Sequence, residues 1–395
     1  MWLYIIIFLI PVWLYQQTIK SGISKDTYLL GIYLFFLALF VGLSDMFGGY
    51  DRYIYAEVFD SIADVTDSRG SYLLNQCFDF FPSEKGYTLL NIIISFFTEN
   101  RYIFIFVLTA AIYTCLFVSI KRYAVNYPFA LILFLGLWFF FTFTYLRQVL
   151  GATIVWLSIP YIIKRKFWKS LAICLVAMSI HKSAIIFLPV YFIANKEFSV
   201  KQIKRAMLIL LIIGMSPLPN ALFTVYGDVS QVEMQADYSS AGGLRIAYLL
   251  EVGFFLWIIL KNYHTPISNP TQRVLINIAL LFCATLLFFI RSENGGRLSW
   301  YYMIGIICTL TTIATKKINR KNLAPLLIVV CFFLMLRIYD SWQPTMNLYP
   351  YKTFLTDGHR QGDPVWENYE YDTHYDGDKF YRKPFRIKFN IEKND

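Results

Sequence analysis

Apolar runs of bilayer length recur along this chain, and across residues 127–163 one side chain alone, Arg147, carries a charge. Inside hydrocarbon every backbone N–H and C=O must be satisfied internally, so runs of this kind fold as helices packed side by side. About twenty apolar residues cross the ~30 Å core. The runs at 2–19, 27–43, 102–120, 127–146, 148–163, 167–181, 183–195, 206–222, 244–260, 274–290, 298–315 and 323–337 are of that length or somewhat shorter. Of the 395 residues 57% are hydrophobic and 16% charged, which lies outside the soluble globular range. The pattern predicts an all-α polytopic integral membrane protein with about twelve transmembrane helices. The first run, "MWLYIIIFLIPVWLY", has neither a basic n-region nor a small-x-small cleavage site and reads as a retained helix.

The net charge of +10 describes topology and not a nucleic-acid partner. Eighteen of the 36 lysines and arginines lie in six places between apolar runs: Lys20 and Lys25, Lys121 and Arg122, "KRKFWK" (164–169), "KEFSVKQIKR" (196–205), Lys261 and Arg273, and "KKINRK" (316–321). By the positive-inside rule these loops are cytoplasmic, and both termini then lie outside. The six cysteines are scattered without a CxxC pair, so neither a disulfide framework nor a zinc site is indicated.

The expected outer side differs in composition. Residues 44–85 form a first outer loop with eight acids against three bases, residues 223–243 form a second, and 338–395 form an outer C-terminal tail rich in Tyr, Asp and Lys. Residues 1–337 make up the transmembrane domain. The segment "GYTLLNIIISFF" (86–97) is apolar but spans only ~18 Å, so it is expected as a short re-entrant or interfacial helix.

This topology collects arginines at the outer helix ends: Arg147 in "FTYLRQVLGATI", Arg245, Arg291, Arg297 and Arg337. Each could snorkel to the interface. Arg147 is the least suited to that, because apolar sequence runs on to both sides and Gln148 adds a second polar group. Membrane-embedded arginines are costly and usually face a cavity or a partner. His181 and Lys182 mark the apex of a segment that goes out and back between two basic loops, too short to reach the outer surface. A histidine there is a hydrogen-bonded structural group or a proton carrier. Glu251, six residues beyond Arg245, is expected to pair with one of the arginines. The planar guanidinium binds phosphate bidentately and stays charged, so an outer arginine cluster suits an anionic headgroup such as a lipid-linked diphosphate. The chain has no GxxxxGK[ST], no GxGxxG and no cytoplasmic loop of domain size for a nucleotide.

The segments "GGYDRYIYAEVF" (48–59), "EKGYTLLN" (84–91), "YLRQVLGATI" (145–154), "KFWKSLAICLVAMSIHKSAII" (166–186), "GGRLSWYY" (295–302) and "YPYK" (349–352) together resemble the EpsG family of Wzy-like exopolysaccharide and O-antigen polymerases. The resemblance covers most of residues 1–352. It implies a fold similar to the GT-C-like glycosyltransferases that use polyprenyl donors. It also implies polymerisation of undecaprenyl-diphosphate-linked oligosaccharide at the outer face of the bacterial plasma membrane, with no cofactor or metal. The outer tail could fold over the outer face or dock a partner that sets chain length (a chain-length regulator), and its composition does not choose between these. The family pattern matches at Asp51, Tyr55, Glu84, Gly86, Tyr87, Arg147, Gln148, His181, Arg297 and Tyr301. The first loop departs from it: an acid often preceded by Gly-Thr or Gly-x stands here in "GGYD", which leaves Asp45 and Asp51 both as candidates.

The expected catalytic residues are therefore His181, Asp51 and Arg147. His181 or Asp51 would accept a proton from the acceptor hydroxyl. Arg147 and Arg297, with Gln148, Arg245, Arg291, Tyr301, Glu84 and Tyr87, would hold diphosphate and glycan. Two other classes compete. A flippase would spread polar residues through the membrane depth, whereas here they concentrate on one side. An O-acyltransferase using His181 would draw its acyl donor from the cytosol, away from that histidine.

Overall fold

The computed structural model describes residues 1–21, 24–44, 50–219, 221–222, 243–292, 294–346, 348, 351–355 and 378–386. Among them regular structure is helical, apart from one isolated bridge between Ser44 and Thr353. Asp45, the second outer loop at 223–242 and most of the tail lie outside the described residues.

The first half of the bundle comprises α1 (Trp2–Ser21), α2 (Thr27–Gly42), α3 (Tyr50–Asp67), α4 (Lys85–Ser95), α5 (Arg101–Tyr123), α6 (Tyr127–Leu137), α7 (Phe141–Thr144), α8 (Leu146–Trp156) and α9 (Ile159–Ile163). The second half comprises α10 (Phe167–Ile180), a 3₁₀ turn Lys182–Phe187, α11 (Val190–Ile193), α12 (Val200–Met215), α13 (Ile246–Lys261), α14 (Pro270–Phe288), α15 (Asn294–Ser299), α16 (Met303–Ala314) and α17 (Leu323–Met346). Among the described residues five stretches are long and apolar enough to cross a bilayer: Trp2–Ser21, Arg101–Tyr123, Leu146–Ile163, Pro270–Phe288 and Leu323–Trp342. Exposed large apolar side chains such as Ile6 and Trp13 on α1, Ile32 and Phe35 on α2, and Val329 and Phe333 on α17 give the bundle a surface suited to lipid.

Helix starts follow local chemistry. Asp26, Asn100, Asn126 and Asn269 each accept backbone N–H groups from the first turns of α2, α5, α6 and α14. Ser199 and Gln202 form a reciprocal capping box at α12. Basic loops meet at one end of the bundle. Asn195 Nδ2 donates to Ile162 O (2.8 Å), Asn277 Nδ2 to the carbonyls of Ala194 and Lys196 (both 2.8 Å), and Asn319 Nδ2 to Asn262 Oδ1 (2.8 Å). Tyr263 OH donates to Phe198 O at 2.8 Å, and Arg273 pairs with Glu197 at 2.6 Å.

The apolar run 127–146 is not one helix. α6 ends at Leu137, closed by Phe139 N–H on Phe134 O (3.0 Å), and the buried aromatics Trp138, Phe139 and Phe140 fill the break before α7. Gly136 lies where α6 crosses α17, and a Cβ there would overlap Cys331. The boundary expected at residue 337 falls inside α17, which continues to Met346.

α3 and α4 are amphipathic and sit at the end opposite the basic loops. On α3 Tyr55, Phe59, Ile62 and Ala63 are buried at helical spacing, and Phe59 stacks on Phe104 of α5 with centroids 4.2 Å apart. α4 realises the short helix expected at 86–97. It buries Tyr87, Asn91 and Ile94 while Leu89 and Ile93, followed by Phe96 and Phe97, face outward.

Residues 378–386 of the tail lie across α3 and the start of α5. Lys379, 3% exposed, donates from Nζ to Tyr102 OH at 2.8 Å. Arg382 binds both carboxylate oxygens of Asp64 (2.5 and 3.1 Å), and Arg386 reaches Asp67 at 2.8 Å.

Candidate functional site

Arg147 stands in the first turn of α8, and its guanidinium faces three rings. Its central carbon lies 4.1 Å from the centroid of Phe81, 4.8 Å from Tyr55 and 5.6 Å from Tyr87. Nη1 forms a short ion pair with Glu84 Oε2, and Nε is buried without a partner. The side chain remains 19% exposed. The rings fix the plane of the fork while leaving part of its donor capacity uncommitted.

Glu84 links two elements. Oε2 binds Arg147, and Oε1 accepts the backbone N–H of Lys182 at 3.0 Å, which holds the turn after α10 beside α8. The turn can approach because Gly86 opens α4 where it meets α10; a Cβ at Gly86 would overlap Ser179. His181 therefore leaves α10 in extended conformation, its Nδ1 2.6 Å from Ser183 Oγ and 3.0 Å from Tyr301 OH. Ser183 Oγ and Tyr301 OH are themselves 2.9 Å apart, and Tyr301 is fully buried. Its carbonyl is held by Trp156 Nε1 of α8 at 2.8 Å. Among the described residues Nε2 of His181 has no protein partner, so it is the ring atom left for a ligand.

Arg297, in α15, is exposed and stacks on Tyr145 (4.3 Å to the centroid) while Nη2 donates to Tyr145 OH at 3.0 Å. Its carbonyl accepts from Gln148 Nε2 at 2.8 Å, so α8 and α15 are tied next to Arg147. Asp51, in the first turn of α3, lies within electrostatic reach of Arg297, Arg147 and the Tyr55 hydroxyl. Burial raises its carboxyl above the ordinary aspartate range, and the two arginines pull the other way.

Asp51, Glu84, Tyr87, Arg147, Gln148, His181, Arg297 and Tyr301 thus come from α3, α4, α8, the turn after α10 and the α15–α16 region to one locality. Arg245 and Arg291 are brought near each other through the backbone, where Arg245 N–H donates to Ile290 O at 3.1 Å. Glu251 forms no hydrogen bond or ion pair among the described residues, contrary to the expected arginine pair, because its helix turns it into a cavity. That cavity, of about 720 Å³, borders the cluster at Tyr145 and Arg297.

Sequence reasoning did not identify Phe81 or Tyr145 as ring partners, nor Ser183 as the link between His181 and Tyr301. Each is an ordinary apolar or hydroxyl residue whose role comes from residues distant in the chain. Two arginines near the first outer loop are structural. Arg52, with 0% exposure, holds the end of α2 through Ser44 Oγ (2.6 Å) and Val41 O (3.0 Å), and Arg101 pairs with Glu57 (2.9 Å) and Asp60.

The family model described as EpsG family matches residues 2–353 of the chain. No curated protein and no solved structure matches it.

Proposed function

Because the chain belongs to the EpsG family, we propose that it polymerises lipid-linked oligosaccharide repeat units by glycosyl transfer from a polyprenyl-diphosphate donor. In this reading the apolar runs make about twelve crossings of a bacterial plasma membrane, and the cluster around Arg147 faces outward, opposite the basic loops. The observation that carries the reading is the convergence of two cations, Arg147 and Arg297, with the carboxyl of Asp51 and the unoccupied Nε2 of His181.

The acceptor sugar hydroxyl attacks the anomeric carbon of the donor glycan. The bond from that carbon to the diphosphate oxygen breaks, and its electron pair leaves with the polyprenyl diphosphate. Arg147 and Arg297 face the charge that builds there, the partly dry surroundings strengthening the attraction. Arg147 is caged by rings, so little reorganisation is needed as the charge develops. Asp51 takes the hydroxyl proton; burial raises its basicity towards the working range, and its place beside both arginines sets it near the leaving group. His181 Nε2 orients the acceptor hydroxyl, its ring fixed through Nδ1 by Ser183 and Tyr301. Glu84 positions Arg147 and the His181 turn together.

A deletion strain tests the reading: it should accumulate single repeat units on lipid at the outer surface, and a strain that traps them on the cytoplasmic side would point to a flippase instead. Purified protein given a lipid-linked repeat unit should lengthen it. Arg147→Ala protein that lengthens it as fast as wild type would overturn the proposal.

A further inference from the structure

The cavity beside the cluster has polarity graded along its length. Tyr145, Tyr248, Arg297 and Arg337 line the end next to the site; Leu133, Phe255, Phe282, Leu310 and Leu327 line the far end. Along α17, Leu327 and Arg337 are ten residues apart, so the cavity extends ~15 Å down the helix, about half of a ~30 Å hydrocarbon core. Its volume of about 720 Å³ falls within the ~300–1,000 Å³ usual for ligand sites. The flanking helices α13 and α17 both line it but do not pack closely on each other, although each packs on other members of the bundle. Contact between α13 and α17 therefore does not close the cavity on the side that lies between them. Glu251, on the α13 wall, has no partner among the described residues, and an unpaired carboxyl at membrane depth is costly.

We propose that this cavity is a lateral lipid site, which admits the isoprenoid chain of a phosphorylated polyprenyl lipid from the bilayer between α13 and α17 and seats its phosphate at Arg297 and Arg337. The inference rests on the transfer reading for the glycan carried by that phosphate. The charge arrangement favours this occupant: both arginines stand at one end, and the remaining wall is almost wholly apolar and aromatic. A chain lying with its phosphate at that end runs down the apolar wall, and hydroxyl or amide donors of the head group reach Glu251. The headgroup end then abuts Tyr145 and Arg297, the side of the cavity that meets Asp51 and Arg147.

The test uses full-length protein in detergent with polyprenyl monophosphate, the uncharged polyprenol and phosphatidylglycerol as probes, read by native mass spectrometry. Wild type should retain one polyprenyl monophosphate per chain. Val330→Trp and Leu334→Trp, which fill the cavity wall, should weaken retention by about tenfold or more. Val329→Trp, on the same helix but 51% exposed and outside the cavity, should leave it unchanged. Arg337→Gln, at an exposed position that does not threaten folding, should weaken the monophosphate by about tenfold and leave polyprenol unaffected. Equal retention by the cavity variants and Val329→Trp, or equal displacement by phosphatidylglycerol, overturns the proposal. Asp51→Asn separates the two readings, since it should retain lipid while losing transfer. Chain elongation that continues normally in the cavity-filled variants sinks the lipid site alone. Lipid retention without elongation by wild type sinks the transfer reading alone.

Discussion

Nδ1 of His181 lies 3.0 Å from the hydroxyl of Tyr301, joining the end of α10 to the start of α16 across 120 residues of chain. With Ser183 this closes a three-membered network that fixes the imidazole through Nδ1 and leaves Nε2 without a protein partner among the described residues. Tyr301→Phe removes one member of it without opening a cavity. The expected result is a loss of about tenfold in the elongation rate with ~1 kcal/mol or less of stability, measured by single-turnover transfer beside thermal unfolding. Unchanged transfer would assign Tyr301 to packing alone.

Arg147→Lys keeps the charge but loses the planar fork and the ring cage. Elongation should fall by an order of magnitude or more while the protein inserts and unfolds much as wild type does. Glu84→Ala acts differently, because it strands Arg147 and the Lys182 N–H together. It should lower stability by about 3 kcal/mol, visible as a lower unfolding temperature, and the double variant with Arg147→Ala should lose less than the sum of the two.

The pH dependence follows from Asp51. Burial raises its carboxyl, so the acid limb of the elongation profile should lie above the ordinary aspartate range, with activity present above that limb and lost as pH falls through it. Arg297 holds the carboxyl down; Arg297→Gln should therefore move the limb to higher pH. A limb that stays in place would separate Arg297 from Asp51. Asp51→Asn should abolish the limb together with most of the rate.

The tail segment 378–386 is held by hydrogen bonds to backbone, among them Asn100 Nδ2 to Lys379 O (2.8 Å) and Arg386 N–H to Phe97 O (2.9 Å), and by surface ion pairs of Arg382 and Arg386, each worth ~0–1 kcal/mol and screened by salt. Lys379 is its buried anchor. Arg382→Ala with Arg386→Ala should raise amide exchange at 60–67 and 97–102 modestly, and Lys379→Ala should raise it further. High salt should reproduce the double variant and spare the Lys379 contact.

Helical class and the pairing of basic loops at one end were legible in the sequence, because both follow from apolar run length and from where lysines stand. The neighbourhood of Arg147 was partly legible: one charge in apolar sequence signals a constrained site, and the motif residues Asp51, Glu84, His181 and Arg297 do come together. The aromatic cage was not legible, since Phe81 and Tyr55 belong to segments far from residue 147 and look like any other aromatic residues of an amphipathic loop. The break after Leu137 was hidden for a related reason: Trp138, Phe139 and Phe140 are as apolar as the helix they end. The partners of the first-loop acids were not legible either: Glu57, Asp60, Asp64 and Asp67 are engaged by Arg101, Arg382 and Arg386, which lie outside that loop in the chain.

Elongation of a lipid-linked repeat unit by purified protein tests most directly whether Arg147, Arg297 and Asp51 act on a lipid-linked diphosphate. Wild type should convert single units to longer chains while releasing polyprenyl diphosphate, and Arg147→Ala and Asp51→Asn should each slow this by about 100-fold or more while remaining folded. Wild-type elongation that persists unaltered in both variants would contradict the account.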